Sequence, residues 1–167
     1  MDIRPLNCRD DRQAVSHVYE ESWKHAYKGI IPQSYLDSIL KGHWCDAVDN
    51  QGRHTLIMLD NNKIIGTSSY CASRLEYMQG YGEIISIYLL PECCGKGFGK
   101  LLLQESVSGL KQMGYQNIFL WVLEQNYTAR RFYEKFGFRK NGRILEDSIG
   151  GKNLREIQYV IHCNTFA

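Results

Sequence analysis

The segment Leu89-Leu90-Pro91-Glu92-Cys93-Cys94-Gly95-Lys96-Gly97-Phe98-Gly99-Lys100 holds the chemistry that is easiest to name. Glycines at alternate positions, between an apolar run and a helical pattern, leave backbone N–H groups unshielded by side chains. Such donors at the start of a helix form an anion site, and Lys96 and Lys100 add positive charge beside it. A flexible turn before an ordinary helix is the plainer reading of a glycine cluster taken alone. Two phosphate motifs can be tested directly. A P-loop ending at Gly99-Lys100 would need a glycine where Cys94 stands and a hydroxyl where Leu101 stands, so it fails twice. The dinucleotide pattern of three spaced glycines puts Lys100 or Leu102 on its third glycine and fails as well.

Other reactive residues give weaker signals. Cys93-Cys94 could suggest a thiol nucleophile, but no His/Asn partner stands out, and cysteine is commonly a small buried residue. His17, Glu21 and His25 share a helix face, yet three consecutive turns span more than about 11 Å, too far for one metal ion. No cysteine pair or Cys/His grouping has zinc spacing, so no metal is expected.

The elements that must position these residues follow from periodicity and punctuation. Residues 2–6 read as a short strand. Asp10 or Asp11 caps a helix to about residue 27, with Val15, Val18, Tyr19, Ser22, Trp23 and Ala26 on one face. Pro32 and Ser34 start a second helical stretch containing Tyr35, Leu36, Ile39 and Leu40. His54 to Asp60 and Lys63 to Ser73 form a hairpin about Asn61-Asn62. Gly82 to Leu90 is a nearly all-apolar strand stopped by Pro91. The glycine loop opens a helix that Gly114 ends. Gln116 to Leu123 is another buried strand, and Asn126 caps a helix to Phe136. Strands at 138–146 and 154–162 close the chain through Gly150-Gly151. The order β-α-α-β-β-β-α-β-α-β-β predicts an α/β (α+β type) fold: a mixed, mostly antiparallel sheet of about seven strands flanked by helices.

Two motifs at their spacing carry a family resemblance. Cys94-Gly95-Lys96-Gly97-Phe98-Gly99 resembles motif A of the GNAT superfamily of acetyl-CoA-dependent N-acetyltransferases, Gln/Arg-x-x-Gly-x-Gly/Ala, with Cys94 in place of the usual Gln/Arg. The strand Glu83 to Leu90 leading into Pro91-Glu92 is similar to that superfamily's central strand. Asn126-Tyr127-Thr128-Ala129-Arg130-Arg131-Phe132-Tyr133-Glu134-Lys135-Phe136-Gly137-Phe138 matches its second motif at every fixed position. The likeness covers essentially the whole chain, with specific matches over residues 83–138. It implies a GNAT-like acyltransferase fold in one N-acetyltransferase domain, residues 1–167. It also implies an acetyl-CoA cosubstrate, with the central strand and the next one splayed to admit the pantetheine arm. Backbone groups of Ile87 and Leu89, about Tyr88, would pair with that arm. The amides of Gly95, Lys96, Gly97, Phe98, Gly99 and Lys100, after Cys94, would hold the pyrophosphate.

Acetyl transfer to an amine requires that the amine lose a proton, that an oxyanion be stabilised and that a thiolate be protonated. Under the resemblance Tyr133 is the candidate acid; a core tyrosine with a satisfied hydroxyl is the alternative. Glu83, at the start of the central strand, is the candidate base, acting through a water, against a solvated strand-end carboxylate. His25 and His43 are the other candidate bases. Asn126 is read both as a helix cap and as a contact to the pantetheine arm. Trp23, Tyr27 and Tyr35, with Glu20, Glu21 and Glu83, could frame a cationic amine, although core packing explains Trp23 equally well.

Composition sets the outer bounds. Twenty Lys and Arg against 18 Asp and Glu give a net charge of +2, too even for binding nucleic acid through phosphate neutralisation. The N-terminus has no apolar signal region and no run is long enough to span a bilayer, so a reducing cytoplasm and no membrane partner are expected. The expected function is acetyl transfer from acetyl-CoA to a small-molecule or protein amine, directly in a ternary complex. A non-catalytic acyl-CoA-binding module is the rival reading, kept open by Cys94. The resemblance is compatible with a homodimer.

Overall fold

The computed structural model describes residues 1–163. Strand β1 (Asp2–Pro5) pairs antiparallel with β2 (His54–Asp60). Helix α1 (Arg12–Ala26) begins at Asp11, whose carboxylate accepts the Gln13 N–H. The competing cap, Asp10, is instead clipped by the Arg4 guanidinium at 2.7 and 2.8 Å. Helix α2 (Gln33–Ser38) stops before Ile39, which leaves Leu40 exposed rather than on an apolar stripe. Strand β3 (Lys63–Ala72) returns beside β2 through Asn61 and Asn62, both at positive φ as a two-residue hairpin requires.

Strand β4 (Tyr81–Leu89) runs antiparallel to β3, and α3 (Phe98–Gln112) crosses over to β5 (Asn117–Leu123), parallel to β4. Helix α4 (Tyr127–Phe136) follows, capped by Asn126. Strands β6 (Arg139–Ile149) and β7 (Lys152–His162) form the final hairpin, with β7 inserted between β5 and β6. The sheet has the order β1-β2-β3-β4-β5-β7-β6, and β4–β5 is its parallel pair. Both hairpin strands extend further toward Gly150-Gly151 than the expected 138–146 and 154–162. The reason is that β6 is an edge strand exposed along nearly its whole length, so no apolar pattern marks where it ends. Among the described residues no helix is long and apolar enough to cross a membrane.

Helices α1 and α3 cover opposite faces of β3 and β4. The Tyr19 hydroxyl of α1 meets Ser69 and Ser86 at 3.4 and 2.9 Å, whereas Ser106 of α3 meets Ser68 at 2.7 Å. Gly82 lets Leu110 of α3 lie directly on β4. The core contains Val15, Val18, Ile57, Ile84, Leu103, Leu110 and Ile118, all at most 3% exposed.

Two departures from a regular sheet create a cleft. In β4 the pairing steps from Tyr70↔Ile84 to Ser69↔Ser86, so Ile85 is an extra residue. A bulge reverses which side chains face which side. Glu83 before it, and Ser86 and Tyr88 after it, all turn to the α1 face. Pairing of β4 with β5 then stops at Ile84↔Leu120, while β4 stays on β3 to Leu89 and β5 stays on β7 to Leu123. The two strands splay, and their facing edges are left without a neighbour.

Candidate active site

The splay opens into a cleft of about 620 Å³ that reaches from Arg74 and Glu83 past Tyr88 to Tyr133 on α4. The Leu90 N–H donates to the Ile65 carbonyl on β3 at 2.9 Å. Hydrogen-bonded and non-bonded pairs alternate along an antiparallel ladder, so the backbone groups of Ile87 and Leu89 point away from β3 into the gap. They form a free strand edge for an extended ligand to pair with.

The glycine loop ends in Gly97 at φ +85°, with Gly95 at φ +75°; a Cβ at either would meet nothing in the protein but would be strained. Among the described residues the N–H groups of 95–99 have no acceptor, and the Lys100 N–H makes only a tight contact back to Gly97 at 3.1 Å. Successive free donors at the start of a 15-residue helix make an anion site. A Cβ at Gly99 would come within ordinary contact of Phe132 and Leu89, so α3 starts close to both α4 and the cleft wall. Phe98 packs inward on the core, leaving its backbone rather than its ring for a ligand. The Cys94 thiol is pushed up by burial and by Cys93 and Glu92, the opposite of an activated nucleophile.

Asn126 accepts the Ala129 N–H at 3.1 Å and so caps α4, while its amide nitrogen remains free in the cleft wall. Tyr133 is half-buried against Phe132 and Phe138, with ring centroids 5.1 and 6.0 Å away. Its hydroxyl has no hydrogen-bond partner among the described residues, and burial together with nearby Tyr88 pushes its pKa up. It is protonated at neutral pH and free to donate.

The acetyltransferase (GNAT) family profile matches residues 13–138. The chain belongs to the GNAT acetyltransferase family. An uncharacterized N-acetyltransferase of Bacillus subtilis, YuaI, is 31% identical over 153 residues, 89% of this chain and 86% of that protein. The spermidine N(1)-acetyltransferase of Thermoplasma acidophilum is 28% identical over 168 residues, 95% of this chain and 98% of its own. The PaiA N-acetyltransferase of Thermoplasma acidophilum, solved in complex with coenzyme A, superposes with a TM-score of 0.69 at 26% identity, covering 93% of this chain and 98% of that one.

On the α1 side of the acetyltransferase cleft lie aromatic rings. Trp23 and Tyr27 stack edge-on at 5.0 Å, and the Tyr27 hydroxyl lies 3.3 Å from that of Tyr88. Burial pushes Tyr88 up to about 12 and Tyr27 up as well. The Trp23 indole N–H approaches the Tyr88 hydroxyl without forming a proper hydrogen bond, so it is a donor still to be used. Glu83 is 2% exposed, and both of its oxygens are occupied by Arg74: the guanidinium donates at 2.6 and 3.1 Å, and the Arg74 backbone N–H at 3.1 Å. It is a clamped buried carboxylate, not the solvated one that its strand-end position suggests.

Other expected residues fall elsewhere. Tyr35 lies outside the cleft wall, with its Cβ against Gly150 of the β6–β7 turn. Glu20 is buried and consumed by Ser16 and the Gly42 N–H, both at 2.7 Å; this bond set holds the loop that carries Trp44 against Trp23. Glu21 faces Lys24, and His25 and His43 are exposed outside the cleft. Among the described residues no group of three or more metal-binding side chains is placed to hold an ion. The cleft also contains Leu145, Asp147 and Glu156 of the last hairpin, which no motif marks. The alternation does not single out Glu156 either, because the same face of β7 runs Leu154, Glu156, Gln158 and Val160, mixing apolar and polar residues.

Proposed function

We propose that this acetyltransferase moves the acetyl group of acetyl-CoA to a primary amine directly, with both substrates bound at once. The observation that carries this reading is the free edge of β4 running from the open amides of residues 95–99 to the Tyr133 hydroxyl. When bound, acetyl-CoA supplies a thioester carbonyl as electrophile. Ile87 and Leu89 pair with its extended arm, the amides of 95–99 bind its pyrophosphate, with Lys96 and Lys100 adding charge, and the free Asn126 amide donates to the arm. Tyr133 gives a proton to the departing sulfur. The acceptor enters from the α1 face past Trp23 and Tyr27. Overall an ammonium and a thioester give an amide, a thiol and one proton.

The acceptors of relatives are amines, spermidine among them. A small aliphatic amine therefore suits the aromatic entrance better than a bulky one. Mass spectrometry of acetyl-CoA incubated with a panel of diamines, polyamines, amino sugars, lysine and N-terminal peptides tests the reading. We expect at least one acetylated amine. CoA binding with no product across the panel favours the non-catalytic acyl-CoA-binding alternative.

A further inference from the structure

We propose that Glu156 of β7 is the carboxylate that receives the acceptor's ammonium group and takes its proton, with Asp147 of β6 as the residue that tunes it. This rests on the acetyl-transfer reading above and identifies a base that no sequence motif marks.

The argument starts from which carboxylates reach the cleft. They are Glu83, Asp147 and Glu156. A base needs a free lone pair directed at the incoming proton. Glu83 has its oxygens committed to three N–H donors of Arg74, and the Arg74 cation cancels its charge. Asp147 is exposed and accepts the neighbouring Ser148 N–H at 2.7 Å. Glu156 differs from both. It is only partly exposed, and it has no hydrogen bond or ion pair among the described residues.

The fold explains its position. Glu156 pairs with Leu123 of β5 on one side and Leu145 of β6 on the other, at the level where β5 has already parted from β4. Its side chain is thus on the cleft face of β7, diagonal to Asp147. The groups facing it are Asp147 from β6, Tyr27 from α1 and Tyr88 from β4. Its neighbour Arg155 is turned to Glu124 at 3.4 Å and does not neutralise it. Burial, then the Asp147 charge, raise its pKa above the ordinary carboxylate value. A carboxylate whose pKa is so raised is a better proton acceptor than an ordinary one.

The proton balance is simple. The ammonium pairs with Glu156 and passes it one proton, which leaves to solvent. The amine nitrogen bonds to the acetyl carbon, the carbon–sulfur bond breaks, and the nitrogen's second surplus proton replaces the one that Tyr133 gives to sulfur.

Steady-state rates of the full chain, taken across pH with the best amine of the panel, test this. The variants are Glu156→Gln, Asp147→Asn and Glu83→Gln, and CoA binding by calorimetry is measured on each. Glu156→Gln is expected to lower kcat and kcat/KM for the amine by about 100-fold, at the low end for a general base, and to abolish the acid limb of the profile. Its CoA affinity should be that of the wild type. Asp147→Asn removes one of the two causes that raise Glu156, so its acid limb should move to lower pH. Wild-type rates and limb in Glu156→Gln overturn the proposal, as does loss of the limb in Glu83→Gln alone. If Glu156→Gln loses CoA binding, the Asp147→Asn limb decides: a downward shift supports the proposal and an unmoved limb overturns it. Failure of the wild type to acetylate any amine would instead refute the acetyl-transfer reading.

Discussion

Tyr133, the proposed acid, shows how environment shapes what a single side chain can do. Its ring is held by Phe132 and Phe138, and its hydroxyl is left without a partner in a buried position. Burial keeps the proton on the oxygen, which an acid requires, but it also makes that proton harder to give up. A CoA thiol leaves well unaided, so the assistance should be modest. Tyr133→Phe keeps the ring packing and removes only the donor. We expect kcat and kcat/KM to fall together by about 10–100-fold, as for a contact made only in the transition state. CoA affinity and melting temperature should stay near wild type. Steady-state kinetics with a working amine check this, and an unchanged kcat removes Tyr133 from the mechanism.

At the scale of elements, the turn from the glycine loop into α3 has a clear physical demand. Gly97 caps the helix at φ +85°, and a Cβ there meets no protein atom. Gly97→Val should therefore cost about 1–2 kcal/mol from the left-handed backbone alone, leaving the fold intact. A branched side chain beside the open amides should weaken CoA binding at least tenfold, read by calorimetry. Affinity equal to wild type would mean that the loop does not hold the phosphates. A second junction, β1 to α1, is clipped by Arg4 and Asp10, which holds the Asp10 carboxyl at about 2. An unfolded aspartate titrates near about 3.9, so this clip contributes stability above about pH 4 and loses it as pH falls toward 2. Arg4→Met should flatten that part of a denaturation-versus-pH curve.

These elements also show what a sequence can and cannot display. The loop, the α4 cap at Asn126 and the strand order are written in local patterns, because glycine, asparagine and alternation act on the backbone next to them. The Ile85 bulge is not, since it concerns a count of residues against a partner strand. Nor is the Arg74 clamp on Glu83, which joins the β3–β4 connection to the strand. The place of Glu156 is not written locally, since the hairpin reaches the cleft only when β7 inserts between β5 and β6. Glu20 is the opposite case: it shares a helix face with Trp23, but the loop carrying Gly42 folds back and takes its carboxylate.

For the whole molecule, the proposed reading puts the two substrates on opposite sides of the sheet. The free amides and Tyr133 belong to α3 and α4, whereas Trp23, Tyr27 and Glu156 face the α1 side, and the splay between β4 and β5 joins the two through the sheet. On that reading such a passage would let cosubstrate and acceptor meet without either leaving. A covalent acetyl-enzyme would need a nucleophile within it. The cysteines nearest the loop do not meet that need: Cys93 is buried in the core, and Cys94 has its thiol pushed up and lies outside the cleft wall. Initial rates measured against both substrates should therefore give intersecting double-reciprocal lines, the pattern of a ternary complex, rather than the parallel lines of a ping-pong path. Mass spectrometry of the protein after incubation with acetyl-CoA alone should find no acetylated cysteine, and Cys94→Ala should keep kcat within about twofold, since it removes no group that the direct route uses. Parallel lines together with an acetylated Cys94 would replace direct transfer with a two-step mechanism.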